Sequence, residues 1–260
     1  MTKKSLVDEL SEDRGTDEKI VQTFYAKDTL SPDIFDEYGE SYSLDKEYKM
    51  KDSVRDRLLV ITDKFVEFLG IDFFIYDVVL TGSLANYNWS EYSDVDLHIL
   101  IDFDESEHNN ILLKEFFMAK KGIWNDLHDI TIKGFEVEMY VQDVKEPHIA
   151  SGVYSVLHDK WLVEPKKEKK YVDDKGILDK GEEYAKLIDS LVERNEKGED
   201  VSDEVEDVKA KLKRFRQSGL EKGGEYAYEN LTFKLLRRNG YIKKLIDLKK
   251  DSIDNKLSVY

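Results

Sequence analysis

The chain has 260 residues, no cysteine, and a formal net charge of −16 from 40 Lys/Arg and 56 Asp/Glu. The missing thiols remove disulfides, thiolate zinc sites and cysteine nucleophiles together. No apolar run approaches the length that spans a bilayer, and no Gly-x-x-x-x-Gly-Lys phosphate loop is present, which sets aside membrane and P-loop classes. In chain order, residues 1–20 are polar and acidic and are expected to form a flexible arm. They begin Met1-Thr2-Lys3-Lys4 and continue Ser5-Leu6-Val7-Asp8-Glu9, without the apolar core of an export signal, so a cytoplasmic protein is expected. Between Ile20 and Tyr48 the scattered aromatics Phe24, Tyr25, Phe35, Tyr38 and Tyr42, with turn signals at Ser31-Pro32-Asp33 and Tyr38-Gly39, read as an irregular wrap. From Asp52 to Gly70, the residues Val54, Leu58, Leu59, Ile61, Phe65, Phe68 and Leu69 recur at helical spacing, with Gly70 as C-terminal cap.

An apolar run, Ile75 to Leu80, then ends at Gly82-Ser83. Ten residues later Asp94-Val95-Asp96-Leu97-His98-Ile99-Leu100 opens a second apolar run. Alternate residues of a strand share a face, so Asp94 and Asp96 project together while Val95, Leu97, Ile99 and Ile101 are buried. Two adjacent carboxylates repel unless a cation lies between them. Glycine permits close backbone approach, and N–H groups at a turn favour phosphate oxygens, with Ser83 adding a hydroxyl donor. His98 shares the aspartate face and reads as a hydrogen-bonded structural residue, contact with an acceptor being the alternative. Asn86, Asn88 and Ser93 are expected to shape the loop, since short polar side chains bond their own backbone.

Ile111 to Leu127 reads as an amphipathic helix with Leu112, Phe116, Ala119, Ile123 and Leu127 along one face, a crossover suited to an α/β unit. Ile130-Thr131-Ile132, Lys133-Gly134 and Phe135-Glu136-Val137 signal a hairpin. Its second strand alternates Phe135, Val137, Met139 and Val141 with Glu136, Glu138 and Tyr140. Lys160 to Val163 is strand-like and stops at Pro165. Trp89 and Trp124 read as core, and His108, His128 and His148 form no zinc pattern. Helices are expected over about 180–194, 203–217 and 225–238, the last continuing toward Leu248. The expected division is an arm (1–20), a sheet-containing core domain (21–165), a charged connector (166–176) and an all-helical C-terminal domain (177–260). From Val208 to Lys250 there are 13 Lys/Arg against 4 Asp/Glu, a net of +9 that leaves −25 for the remainder. This segment is the expected place for a nucleotide or RNA contact, and Lys234, Arg237 and Arg238 are its candidates. The opposing reading pairs these cations with the acidic remainder.

The order Gly82-Ser83, ten residues, Asp94-x-Asp96 resembles the signature of the DNA polymerase β-type nucleotidyltransferase superfamily. The blocks 80–89, 92–98, Gly152-Val153-Tyr154-Ser155 and Glu229-Asn230-Leu231-Thr232-Phe233-Lys234 resemble phage-type predicted nucleotidyltransferases. That resemblance implies an α+β (α/β) fold, a mixed-sheet core with flanking helices followed by an all-helical part, and a host-cell cytoplasmic setting if phage-encoded. It also implies a third carboxylate on a neighbouring strand. Glu138, set as Val137-Glu138-Met139, is the expected residue and Glu136 the alternative. The implied reaction moves a nucleoside monophosphate from a nucleoside triphosphate such as ATP to an acceptor hydroxyl on RNA, protein or a small molecule, with two Mg²⁺ (or Mn²⁺) ions and pyrophosphate release. Asp94, Asp96 and Glu138 would be catalytic and hold metal. Gly82 and Ser83 would hold the triphosphate of the nucleotide. Tyr154, Ser155 and Lys160 are further nucleotide-binding candidates, for base or ribose, with ordinary loop packing as the alternative reading. The implied alternatives are a toxin or defence-type member that modifies tRNA or makes a nucleotide signal, and a non-catalytic nucleotide-binding module.

Overall fold

A computed structural model describes residues 15–38, 47–105, 110–146, 150–167 and 170–258. The chain divides into two units, Ala26–Glu168 and Met1–Tyr25 with Lys169–Tyr260. Expectations for Gly39, Tyr42, His108 and His148 lie outside the described residues.

The Ala26–Glu168 unit is built on a six-stranded sheet of order β5-β6-β4-β3-β7-β8. Its strands are β3 (Asp77–Thr81), β4 (Val95–Ile101), β5 (Thr131–Ile132), β6 (Phe135–Asp143), β7 (Val153–Ser155) and β8 (Lys160–Val163). β4 and β6 run parallel and every other pair is antiparallel, giving the mixed sheet expected. The parallel pair needs a crossover, supplied by α3 (Asn110–Leu127). Helix α2 (Asp52–Leu69) ends where expected, at Gly70 in the left-handed region (φ 71°). Leu97 and Ile99 turn into one buried cluster with Val54, Leu58, Phe65, Leu113, Phe117 and Trp124 of the two helices. Each such side chain contributes roughly 1.5–3 kcal/mol, and Phe65→Ala, emptying a fully buried position, would cost about 3–5 kcal/mol.

Two local expectations are corrected. The buried stripe of α3 is Leu113, Phe117 and Trp124, whereas Leu112, Ile123 and Leu127 are exposed. The aromatic stripe buries more surface, and Trp124 meets Phe65 edge-on at 5.4 Å. Within the expected irregular wrap, β1 (Phe35–Tyr38) and β2 (Glu47–Met50) pair antiparallel. Phe35 stacks on Trp161 at 5.1 Å, and Trp161 Nε1 donates to the Tyr48 carbonyl at 2.7 Å, partners more than a hundred residues distant.

The second unit is helical: α1 (residues 15–22), α4 (Asp174–Glu196), α5 (Ser202–Gly223), α6 (Tyr228–Arg238) and α7 (Tyr241–Leu257). α1 begins inside the segment expected to be an arm, and Ile20, Val21 and Phe24 pack with Ile177, Leu231 and Leu235. α4 begins inside the expected connector, because the Asp173 carboxylate accepts from the Gly176 N–H at 3.1 Å and caps the first turn. The helix expected to run on to Leu248 breaks at Gly240 (φ 78°), so that Leu236 of α6 joins Leu245 and Leu248 of α7 in a second cluster. No helix of the described residues is long and apolar enough to cross a membrane.

Candidate active site

The sheet register decides which side chains share a face. Thr81, Asp96 and Glu138 are partners across β3, β4 and β6, and the next row is Val79, His98 and Tyr140, with Ser155 beside Val79. The aspartate-bearing face therefore carries carboxylates at the end near Gly82. The same face carries an apolar patch of Val79, Leu100 and Val153. Asp94 lies immediately before β4 and, like Asp96, is half-buried.

At the end of β3 the chain turns through Gly82, φ 73° and ψ −161°, into a single 3₁₀ turn, Ser83–Ala85, rather than an α-helix. A Cβ on Gly82 would lie 1.9 Å from Asp96 Oδ2. The Asp96 carboxylate thus occupies the space that every other residue type would fill. Ser83 Oγ donates to Ser93 Oγ at 2.7 Å, and Ser93 Oγ accepts the Ser90 N–H at 3.0 Å, tying the turn to the segment before Asp94. Asn86 Nδ2 donates to the Gly82 carbonyl at 2.8 Å, and Ser151 Oγ donates to Asn86 Oδ1 at 2.9 Å. Asn86 and Ser93 shape the loop as expected. Gly152 has a comparable reason: a Cβ there would meet the Ala85 carbonyl at 2.1 Å.

On β6, the Glu138 carboxylate accepts from Lys121 Nζ of α3 at 2.9 Å and from Tyr140 Oη at 2.5 Å. Lys121 Nζ also stands 3.4 Å from the Tyr140 ring centroid. Burial and the Glu138 hydrogen bond, joined by the fields of Glu138, Asp96 and Asp94, push the Tyr140 phenol far above its ordinary value, so it remains a neutral donor. His98 stacks on Tyr140 at 4.6 Å, and its Nδ1 lies 2.8 Å from Gln142 Oε1, which fits the structural reading. Lys121 and Gln142 escaped the sequence reading because they belong to no motif. Tyr140 was visible only as a member of the polar alternation.

The other expected nucleotide contacts are not brought to this point. Tyr154 pairs with Leu80 and so faces the opposite side of the sheet, fully buried. It donates to Asp159 Oδ1 at 2.7 Å and accepts the Met50 N–H at 3.2 Å. Ser155 is on the aspartate face but fully buried, donating to Asp77 Oδ1 at 2.7 Å and accepting the His158 N–H at 2.9 Å. Lys160 is exposed on the edge strand β8, three strand positions from β4, about 14 Å away. Glu136 is exposed and pairs with Thr131 of β5.

The donor set at Asp94 and Asp96 suits a hard divalent cation, which takes oxygen ligands. Among the described residues, no three His, Cys, Asp or Glu side chains converge closely enough to hold a metal ion. Glu138 is engaged by Lys121 and Tyr140.

A family model described as Nucleotidyltransferase domain matches residues 61–216, from within α2 into α5. None of the curated proteins compared with the chain matches it. Among solved structures the chain is similar to the STING-associated CdnE c-di-GMP synthase of Capnocytophaga granulosa. The identity is 12% over 80% of this chain and 84% of that one, with a TM-score of 0.24, a likeness too slight to bear on fold or function.

Proposed function

Because the chain belongs to the nucleotidyltransferase-domain family, of the DNA polymerase β-type superfamily, we propose that it transfers a nucleoside monophosphate from a nucleoside triphosphate to an acceptor hydroxyl. The acceptor hydroxyl gives up its proton to solvent as its oxygen forms a bond to the α-phosphorus, the bond from that phosphorus to the bridging oxygen breaks, and pyrophosphate leaves. The observation that carries this reading is the seating of the Asp96 carboxylate in the space beside Gly82, at the sheet end that also bears Asp94 and Glu138.

Asp94 and Asp96 would hold the divalent ions, Mg²⁺ or Mn²⁺, which when bound neutralise triphosphate charge and polarise the reacting oxygens. Gly82, lacking a Cβ, admits the Asp96 carboxylate against the turn, and Ser83 offers a hydroxyl once it exchanges Ser93 for a phosphate oxygen. Glu138 serves as the third carboxylate when it releases Lys121. The Lys121 ammonium then stands free to meet phosphate charge. Tyr140, held neutral, keeps the carboxylate oriented. Tyr154 acts as a core residue, and Ser155 holds Asp77.

The test incubates the protein with each nucleoside triphosphate labelled at the α-phosphate, divalent metal and total RNA, beside an Asp94/Asp96 double variant. Label in RNA, protein or a small product with wild type alone identifies donor and acceptor class. Nucleotide binding without label in any product overturns transfer in favour of a binding module.

A further inference from the structure

Helix α3 carries two apolar stripes, and the core of its unit takes only one. Leu113, Phe117 and Trp124 are buried, whereas Leu112, Ile123 and Leu127 are 61%, 50% and 63% exposed. Ala119 is exposed and Phe116 half-buried in the same outer row. Single exposed hydrophobics are ordinary on a monomer, but a contiguous row of them along one helix marks an interaction surface.

The spacing of the row identifies what fits it. Leu112, Phe116, Ala119 and Ile123 follow one another at steps of four, three and four. That is the alternation of a heptad seam, with Leu112 and Ala119 at d and Phe116 and Ile123 at a. The seam is about 17 Å long, and Asp126 at the next d position ends it. Leucine at d with a β-branched residue at a, here Leu112 with Ile123, favours a parallel pair of helices.

The charges beside the seam carry the same preference. Glu115 falls at g and Lys120 at the following e, on opposite flanks, and five residues apart they point away from each other on one helix. Among the described residues Glu115 has neither a hydrogen bond nor an ion pair. Lys120 Nζ donates to the Phe68 carbonyl at 3.2 Å and lies over the Phe68 and Phe116 rings at 4.7 and 5.6 Å. Its charge meets no carboxylate among the described residues.

We infer that the outer face of α3 is a self-association surface, along which a second copy of this chain packs parallel across a two-fold axis. Leu112, Phe116, Ala119 and Ile123 then meet their own counterparts, and Glu115 of each copy faces Lys120 of the other. An antiparallel pair would set each flank against its own kind and leave both charges unmet. The surface requires neither the metal nor the transfer reaction, so its failure is separable from failure of the proposed activity.

The experiment follows the full chain by sedimentation over a range of concentrations, and a reversible dimer is expected. Ile123→Asp should raise the dissociation constant about tenfold or more with an unchanged circular dichroism spectrum. Glu115→Lys and Lys120→Glu should each raise it about fivefold, and the double variant, which swaps the two charges, should restore it. Orientation is read separately, because the chain has no native cysteine. Oxidised Leu112→Cys should form a disulfide-linked dimer, whereas antiparallel packing would hold the two sulfurs roughly 20 Å apart. A wild type monomeric at every concentration, a dimer indifferent to Ile123→Asp, reversals that the double variant does not restore, or a Leu112→Cys dimer without the disulfide overturns the inference. Should Ile123→Asp not fold, the charge swap decides it.

Discussion

Oδ2 of Asp96 lies 1.9 Å from the point where Gly82 would carry a Cβ. Glycine is therefore required twice at this position, by the crowding and by a backbone conformation (φ 73°, ψ −161°) that side chains avoid. Gly82→Ala is expected to lose about 1–3 kcal/mol in urea denaturation and to abolish label transfer. Gly70→Ala is the control: φ is 71° there too, but no atom lies within 4 Å of the added methyl. It should lose about 1 kcal/mol with transfer unchanged.

Asp94→Asn and Asp96→Asn keep side-chain shape and remove one negative charge each. Transfer should disappear in both, while the far-ultraviolet circular dichroism spectrum stays that of the wild-type fold. An unchanged transfer rate in either variant would reject the proposed cation-binding role.

Lys121→Met should free the Glu138 carboxylate from its ammonium partner. Titration of the variant with Mn²⁺, followed by loss of the free-ion paramagnetic resonance signal, is expected to show tighter binding than wild type. Weaker or equal binding would leave Glu138 as a structural ion-pair member and no metal ligand.

Tyr154→Phe removes a hydroxyl that serves Asp159 and Met50 on the far side of the sheet from Asp96. Stability should fall by about 1–3 kcal/mol and the KM for nucleotide should stay the same. A raised KM at unchanged stability would return Tyr154 to the nucleotide site.

Lys234 carries a pH signature. Its folded value lies below the ordinary 10.5, so between those two values the unfolded chain holds a proton that the native chain does not. Stability therefore rises with pH through that window, and below it the penalty is fully present. Urea midpoints of wild type measured at rising pH below 10.5 should climb toward those of Lys234→Met. Parallel midpoints across the range would show that Lys234 is well solvated in the native state.

Much of the sheet and the helices was readable locally. Strand β4 coincides with the run Val95–Ile101, the Lys133-Gly134 turn joins β5 to β6, and Gly70 ends α2, because alternation, turn glycines and helical spacing are properties of neighbouring residues. The placing of Asp94 just before β4 and of Asp96 within it follows from the same alternation. The Gly82 requirement, the α3 face and the β1–β2 pairing depend on atoms brought close by folding.

The sequence by itself determined which residues can share a strand face and which turns demand glycine, since both follow from local backbone geometry. Only the tertiary structure decided that Tyr154 faces the core, that Lys121 reaches Glu138, and that Arg216 reaches Asn230. Register between strands and packing between helices are set by long-range burial, and no spacing along the chain encodes which distant charge arrives beside which carboxylate.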